Sequence, residues 1–366
     1  MKIAFESRLG KQQGMTVVEL MVSLIIGLVI LSAVLYTYMG NKESSAFNRQ
    51  MARLQESGRL AIDTLGNDLR NASFTGCANA RDTRVIDVDD LTQLNLLKGI
   101  GVLAYPDAGG DIVESASFVG PDDGAFLGES HVLRIFGAMP LSSASVKEFP
   151  NSENADLKVT GSSAFIAELA NLPINVVVSD CELADIYKLT AKTESGSDII
   201  LTAPTKPFSK VYGPNASVFV YGKQLSTNYY LREAANEDGS KRTDSKGNNI
   251  ISLFRDDPTL ADTHQELAEG VEAFRVCLGL DEALDGTVDE YKLPTDVTTD
   301  ADWKKVTAVK VDLVMASTEP NVLDEDTEQK YRLCMDDPAG DPSFQKTDRR
   351  LRKLFSTTVS LRNKLK

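Results

Sequence analysis

The chain has little of the residue types on which most catalytic and metal sites depend. Its 366 residues include only two histidines, His131 and His264, which stand far apart, and four cysteines without CxxC spacing. HExxH, GxSxG and a phosphate-cradling glycine loop are also missing from the sequence. We therefore expect no enzyme activity, no cofactor and no metal, and we interpret both histidines as structural or surface residues.

Clustered basic residues are also scarce. Lys and Arg number 39 against 53 Asp and Glu, which gives a net charge of −14. A nucleic-acid groove needs concentrated Lys and Arg, so we expect no nucleic-acid partner. The acidic stretch 281–292 loosely resembles a calcium loop, but Ala283 occupies a ligand position and Lys292 stands where a bidentate Glu is required. A calcium site elsewhere on the surface stays an open alternative.

Leu20–Asn41 contains no charged residue and is a run of 22 mostly apolar residues. About 20 apolar residues suffice to cross a bilayer as one helix. A cleaved secretory signal usually has a shorter apolar region with its cut site behind it. Here the plausible cut site, after Gly14, precedes the apolar run, so cleavage would leave the membrane helix on the mature protein.

Proline is absent before Pro106, and helical periodicity continues beyond the apolar run. We predict one helix from about Thr16 to Asn71, roughly 80 Å long, with Gly40-Asn41 and Gly58 as weak points. Its second half should lie across a β-sheet. The apolar stripe of that half has spacings of three and four: Phe47, Met51, Leu54, Gly58, Ala61 or Ile62, Leu65, Leu69 and Ala72.

Glu19 is the one carboxylate near the start of the apolar run, and a charge inside a membrane helix costs about 2.5–3.5 kcal/mol on insertion scales. Two interpretations are open. The carboxylate could snorkel to the headgroups. Alternatively, it could await a cation, such as the amine that cleavage would create at Met15 of a neighbouring subunit.

The segment Lys11-Gln12-Gln13-Gly14 followed by Met15-Thr16-Val17-Val18-Glu19-Leu20 resembles the N-terminal signal of type IV prepilins and type II secretion pseudopilins. In that family, prepilin peptidase cuts after the glycine and methylates the new amine, and the glutamate is needed for subunit addition. The resemblance assigns these roles to Gly14, Met15 and Glu19. The family most often has Phe where this chain has Met15.

Further segments resemble the PilW type of minor pilin, whose members mostly have Gly near Ser73. The resemblance implies a pilin-like α+β fold, with a long membrane-spanning N-terminal helix packed on a mainly antiparallel β-sheet domain. The matching segments keep their order along the chain: Asn67–Cys77, Val178–Cys181 with Ala184–Tyr187, Gly270–Glu272, Trp303–Lys310 and Phe355–Asn363.

After Ser73 the pattern changes to short strands and loops rich in Gly, Pro and Asp. We predict loops at 99–110, 142–154 and 236–249, the last being a mobile hairpin tip. No second-domain boundary is evident, although the region could form two sub-sheets. The predicted strands are 132–136, 174–178, 199–201, 218–221, 228–231, 250–254, 271–278, 306–315 and 353–361.

Cys77, Cys181, Cys277 and Cys334 lie in the part expected to leave the cytoplasm, where an even count indicates disulfides. Three connectivities are open, as is the alternative of buried free thiols. We favour Cys77–Cys181, which the family resemblance suggests, together with Cys277–Cys334 joining two late strands.

We therefore expect a leader at 1–14, a long helix at 15–72 and a β-rich domain at 73–366. The cationic leader orients the N-terminus to the cytoplasm and the domain to the periplasm, before the subunit enters the pilus. The resemblance implies a structural minor pilin of a priming or tip complex. Its partners would be other minor pilins, the major pilin, prepilin peptidase, the inner-membrane assembly platform and lipid. The alternatives are a J-type pseudopilin of type II secretion and a tip adhesin.

Overall fold

The computed structural model describes residues 15–78, 83–86, 101–106, 130–136, 142–195, 198–222, 226–256, 264–334 and 344–364. The chain divides into two compact units, one up to Gln50 and the second from Met51 onward. Gly14 lies outside the described residues.

Helix α1, Val17–Asn71, is one continuous element of 55 residues, which confirms the predicted long helix. In the first unit its apolar side chains are exposed from Met15 to Met39. The helix is long and apolar enough to cross a membrane, by length and composition alone. In the second unit the predicted stripe is buried at Leu54, Gly58, Ala61, Leu65 and Leu69.

The described strands of the second unit form three larger sheets and one hairpin. In chain order the eight-stranded sheet contains β1 Thr83–Ile86, β4 Ser142–Val146, β5 Leu157–Gly161, β6 Ile174–Ser179, β7 Ala184–Leu189, β8 Lys192–Ser195, β9 Asp198–Leu201 and β10 Ser217–Gly222. The five-stranded sheet contains β2 Val102–Pro106, β3 His131–Phe136, β11 Ser226–Glu233, β12 Ile251–Asp256 and β13 His264–Glu269. The four-stranded sheet contains β14 Val271–Leu280, β15 Glu290–Lys292, β16 Val306–Ala316 and β19 Arg352–Ser360, and the hairpin joins β17 Thr327–Tyr331 to β18 Phe344–Asp348. Two short helices, α2 Ser163–Glu168 and α3 Asp300–Lys305, complete the described elements with three 3₁₀ turns at Leu169–Asn171, Pro294–Asp296 and Arg362–Lys364.

Pairing is antiparallel throughout the described sheets except between β1 and β7, which run parallel. The spatial orders are β1-β7-β6-β10-β4-β5-β9-β8, β13-β12-β11-β3-β2 and β15-β14-β16-β19. The α+β fold with a mainly antiparallel domain is thus confirmed. The prediction that the region could form two sub-sheets was too low, because the described strands form three larger sheets and a hairpin.

The buried core follows the alternation of apolar side chains along these strands. One cluster lies on the eight-stranded sheet, where Val159, Val176 and Tyr187 pack with Phe165 of α2 and Phe208. In the four-stranded sheet β14 and β16 are buried along almost their whole length. Such strands are apolar on both faces, so their sequence patterns are the strongest in the chain.

Each of the nine predicted strands has a counterpart whose ends differ by no more than two residues. Two loop predictions were wrong in part. Within 99–110, residues Val102–Pro106 form β2, and within 142–154, residues Ser142–Val146 form β4. In β4 only Ala144 and Val146 are buried, so small serines concealed the alternation. The late strand expected to carry Cys334, at residues 331–334, was also wrong, since β17 ends at Tyr331.

The segment 236–249 is a hairpin with more internal bonding than its polar composition suggested. Isolated bridges join Ala235 to Lys241 and Thr243 to Asn249. The carboxylate of Asp244 accepts hydrogen bonds from the backbone of Lys246 (2.8 Å) and Asn248 (2.9 Å), and it pairs with Arg350. This carboxylate is fully buried, so the turn is anchored to the C-terminal part of the domain.

Candidate functional site

The start of α1 is built as a reciprocal cap. The hydroxyl of Thr16 accepts a hydrogen bond from the backbone N–H of Glu19 at 3.2 Å. In return, Glu19 Oε2 accepts one from the backbone N–H of Thr16 at 3.3 Å and lies 3.4 Å from its hydroxyl. This is a capping box, in which two backbone donors at the N-terminus of the helix are satisfied by side chains.

The capping box gives Glu19 a second role that the sequence analysis missed. The signal was present, because Thr16-Val17-Val18-Glu19 has the T-x-x-E spacing before an apolar run. The carboxylate therefore has a partner within its own chain. It lies one turn from Met15, whose amine would be the new N-terminus after cleavage. The structure leaves both interpretations of Glu19, as a snorkelling side chain and as an intersubunit partner, as predictions.

The first half of α1 presents apolar side chains without partners among the described residues. Val29 is 63% exposed and Leu31 is 54% exposed, as are their neighbours along the helix. Removal of such side chains from water is worth about 25 cal/mol per Å² of apolar surface. This segment therefore requires an apolar environment supplied from outside the chain, either lipid or other helices.

Beyond Gln50 the helix is fixed to the β-domain by close packing. Gly58 faces β19, and a Cβ at this position would lie 2.4 Å from the ring of Phe355. Only glycine permits that approach without a shift of the ring. Gly58, predicted as a weak point of the helix, is thus a position of close approach between the helix and β19.

A buried polar cluster also holds α1 on the β-domain through specific hydrogen bonds. Asp68 Oδ2 accepts hydrogen bonds from the hydroxyl of Tyr229 at 2.6 Å and from Arg255 Nε at 2.8 Å. The side chains of Asp68 and Arg255 are each 17% exposed. Burial, and next the Asp68 carboxylate, raise the pKa of Tyr229 above its usual value, so the phenol stays protonated and donates. The last turns of α1 are thereby bound to β11 and β12.

The chain leaves the helix through a residue in the left-handed conformation. Ser73 has φ +58° and its backbone N–H donates to Phe136 O at 2.7 Å. Glycine normally occupies such a position after a helix. The C-terminal 3₁₀ turn secures the same point, because Asn363 Nδ2 donates to Ala72 O at 2.9 Å.

Both disulfides of the structure have the favoured pairing. Cys77, which lies six residues after the end of α1, joins Cys181. Cys277 of β14 joins Cys334. Asp312 of β16 accepts a hydrogen bond from the backbone N–H of Cys334 at 2.7 Å. One disulfide thus ties the helix exit to the eight-stranded sheet, and the other ties the segment after β17 to the four-stranded sheet.

The two histidines lie in hydrogen-bond networks of the five-stranded sheet. His131 Nδ1 accepts from the backbone N–H of Val276 at 2.8 Å, which links β3 to β14. Burial, with a smaller contribution from Arg275, lowers the pKa of His131 to about 4. His264 Nδ1 lies 2.6 Å from the Tyr230 hydroxyl and 3.0 Å from Asp256 Oδ1.

The acidic loop after β14 uses its aspartates for hydrogen bonds within the loop. Asp281 accepts from the backbone of Asp285 and Gly286, and Asp289 accepts from that of Glu282 and Ala283. Among the residues that the structure describes, no group of three or more His, Cys, Asp or Glu side chains is arranged to hold a metal ion.

Two family models match the chain, one near its N-terminus and one in its C-terminal part. A family model described as Type IV Pilus-assembly protein W matches residues 229–363, from β11 to the C-terminal turn. A model described as Prokaryotic N-terminal methylation motif matches residues 9–35, which include Gly14, Met15 and Glu19. No curated protein and no solved structure matches the chain.

The methylation motif, the long apolar helix and the antiparallel domain together define a type IV pilin-like protein. Within that class, the match over the C-terminal sheets supports a type IV minor pilin of the PilW type.

Proposed function

We propose that this chain is a structural, non-enzymatic subunit that helps to initiate type IV pilus assembly in a complex with other minor pilins. Prepilin peptidase would remove residues 1–14 after Gly14 and methylate the amine of Met15. The mature chain would consist of the helix, residues 15–72, and the domain, residues 73–366.

The exposed apolar half of α1 is the observation that carries this proposal. A helix with no apolar partner among the described residues of its own chain fits first a lipid bilayer and then a bundle of like helices. The charge of the leader favours a cytoplasmic N-terminus and a periplasmic domain. Two disulfides suit an oxidising compartment. The family description supports a pilus over a type II secretion system.

Glu19 would then act twice, as the cap of its own helix and as the partner of a terminal amine on a neighbouring subunit. These two roles can be separated experimentally. Gln satisfies a capping box as Glu does, but it carries no charge. Thr16→Ala removes the cap and keeps the carboxylate.

We expect Glu19→Gln and Glu19→Ala to be processed and membrane-inserted but to fail in assembly. Breaking a buried ion pair by removal of one partner costs about 3–5 kcal/mol, so the assembly equilibrium should fall about 100-fold or more. Thr16→Ala should lose only the cap, worth about 1 kcal/mol. The measurements are the mature N-terminus by mass spectrometry, the membrane level by immunoblotting and pilus number by electron microscopy.

Normal pilus numbers with Glu19→Gln, together with a loss in both Glu19→Ala and Thr16→Ala, would leave only the capping role. A mature chain that begins at Met1, or beyond the apolar run, would contradict the proposed processing itself.

A further inference from the structure

The outer edge of β19 is open along its second half. The backbone N–H groups of Leu361 and Ser317 donate to Thr307 O and Leu351 O respectively, each at 2.8 Å. In an antiparallel ladder the facing groups alternate along the strand. Odd-numbered residues of β19 therefore direct their backbone groups at β16, and even-numbered residues direct theirs outward.

Side chains of β17 satisfy only the first outward groups. Gln329 donates to Arg350 O at 2.6 Å and accepts from the Arg352 N–H at 3.0 Å, and the hydroxyl of Tyr331 donates to Arg352 O at 2.9 Å. These bonds confirm that the even-numbered residues of β19 direct their backbone groups away from β16. The next outward residues have no backbone hydrogen bond on that side among the described residues, and the last three of them are exposed: Leu354, Ser356, Thr358 and Ser360.

Five other edge strands in the described part of the chain have features that block strand addition. Edge strands are normally protected by shortness, charge or proline. The strands β1, β8 and β15 have four residues or fewer, and each contains a charged residue. β13 contains two glutamates, and β2 ends in Pro106. In β19, by contrast, Leu354–Ser360 contains neither charge nor proline, and its Thr and Val favour extended backbone.

We propose that this edge, the outward backbone groups of Leu354, Ser356, Thr358 and Ser360, receives an extended strand from a different pilin subunit. Strand addition of this kind obtains its affinity from main-chain hydrogen bonds. The inference rests on the proposed function only for the identity of the partner, since the open edge itself follows from the ladder.

Charge argues against a second copy of this chain as the occupant. Antiparallel self-pairing that aligns the outward groups sets Ser356 opposite Thr358 of the other copy, and the same register brings Lys353 of one copy next to Arg362 of the other. Like charges held close across a strand pair destabilise it. A strand with an uncharged centre and acidic residues at its ends would complement Lys353 and Arg362 instead.

The test uses the full-length chain, co-expressed in bacterial membranes with each other pilin of its genome that carries an N-terminal methylation motif. Amide hydrogen exchange is measured by mass spectrometry with residue-level fragmentation. Alone, the amides of residues 355, 357 and 359 should be protected and those of 354, 356, 358 and 360 should exchange rapidly. With the partner bound, the second set should slow by at least about tenfold.

Thr358→Pro removes an outward N–H without loss of a ladder bond, so the domain should keep its melting temperature while co-purification of the partner falls at least about tenfold. Thr358→Val keeps both the N–H and the β-branched shape and should bind as the parent does. Thr357→Pro, whose N–H faces β16, should lower the melting temperature and so verify the register.

The proposal is overturned if no pilin protects the four outward amides, if the chain alone protects them at high concentration, or if Thr358→Pro binds its partner normally. These failures are separable from failure of the proposed function. Normal pili with Thr358→Pro, together with absent pili with Glu19→Gln, would reject strand addition at the β19 edge but keep the proposed pilin function.

Discussion

The two halves of α1 have opposite relations to their surroundings, although they are one helix. In the first half, a Cβ added at Gly27 or Gly40 would meet no atom within 4 Å among the described residues, and Val29 is 63% exposed. In the second half a Cβ added at Gly58 would lie 2.4 Å from the ring of Phe355, and Leu65 is 1% exposed. Helical propensity treats these glycines alike, so the difference comes entirely from what lies against each face.

That contrast shows how one element serves two purposes. The second half satisfies its apolar stripe within its own domain, so its stability belongs to the domain. The first half leaves its apolar surface for lipid or for other helices. Trp303, the single tryptophan of the chain, is buried in the domain and therefore reports domain unfolding without interference from the first half.

The largest expected effect is acid destabilisation of the domain through His131. Its folded pKa of about 4 lies below the ordinary value of 6.5, so the unfolded chain binds the proton between these values. Stability should therefore be fully present above pH 6.5 and fall as the pH drops toward 4, by on the order of 3 kcal/mol. The first half of α1 contains no histidine and should keep its helicity in this window.

The control for this prediction is His131→Asn. Its amide oxygen can take the place of Nδ1 as acceptor for Val276 N–H, but it does not titrate. Urea melts followed by Trp303 fluorescence at pH 7 and pH 5 measure the difference. An equal loss of stability in the parent and in His131→Asn would show that other groups cause the acid dependence.

A smaller effect is expected when the same substitution is made in each half of the helix. Gly58→Ala gains about 1 kcal/mol of helix propensity but forces its Cβ against Phe355, and overpacking costs about 1–3 kcal/mol, so the domain should lose up to about 2 kcal/mol. Gly27→Ala has no such neighbour and should leave the domain unchanged. Trp303-detected melts in detergent compare the two variants.

Phe355→Leu supplies the partner test for Gly58. If the ring causes the loss, Gly58→Ala should be less harmful in the Phe355→Leu background than in the parent, because neighbouring substitutions are not additive. A purely additive double variant would mean that the close approach of helix and strand does not limit this position.

Sequence periodicity was sufficient for the long apolar strands and insufficient for polar strands and for short ones such as β2, β5 and β7. β14 and β16 were found nearly complete because both are rich in buried Val and Leu. β4, β13 and β17 were missed because Ser, Glu, Gln and Lys fill them, and pairing with a neighbour, rather than their own sequence, fixes them as strands.

The candidate site shows the same division between local and distant information. The capping box of Thr16 and Glu19 is local and was readable from four residues. The role of Gly58 depends on Phe355 near the other end of the chain, so no local pattern could reveal it. The open edge of β19 likewise depends on which strand lies beside it, since only the ladder with β16 shows which backbone groups face outward.

The smallest expected effect, and the only stabilising one, lies where the second half of α1 ends. Ser73 holds φ +58°, a conformation that costs about 1–2 kcal/mol for a residue with a side chain. Its buried hydroxyl has no hydrogen-bond partner among the described residues, and it occupies the space that a Cβ on Gly101 would need. Ser73→Gly removes the strain and the unsatisfied hydroxyl, against a greater entropy of the unfolded chain, for a net gain of about 1 kcal/mol. Ser73→Ala keeps the strain and loses only the hydroxyl, so it should gain less in the Trp303-detected melt. If alanine stabilises the domain as much as glycine does, the hydroxyl and not the backbone would be the source of the gain, and the helix exit would be free of strain.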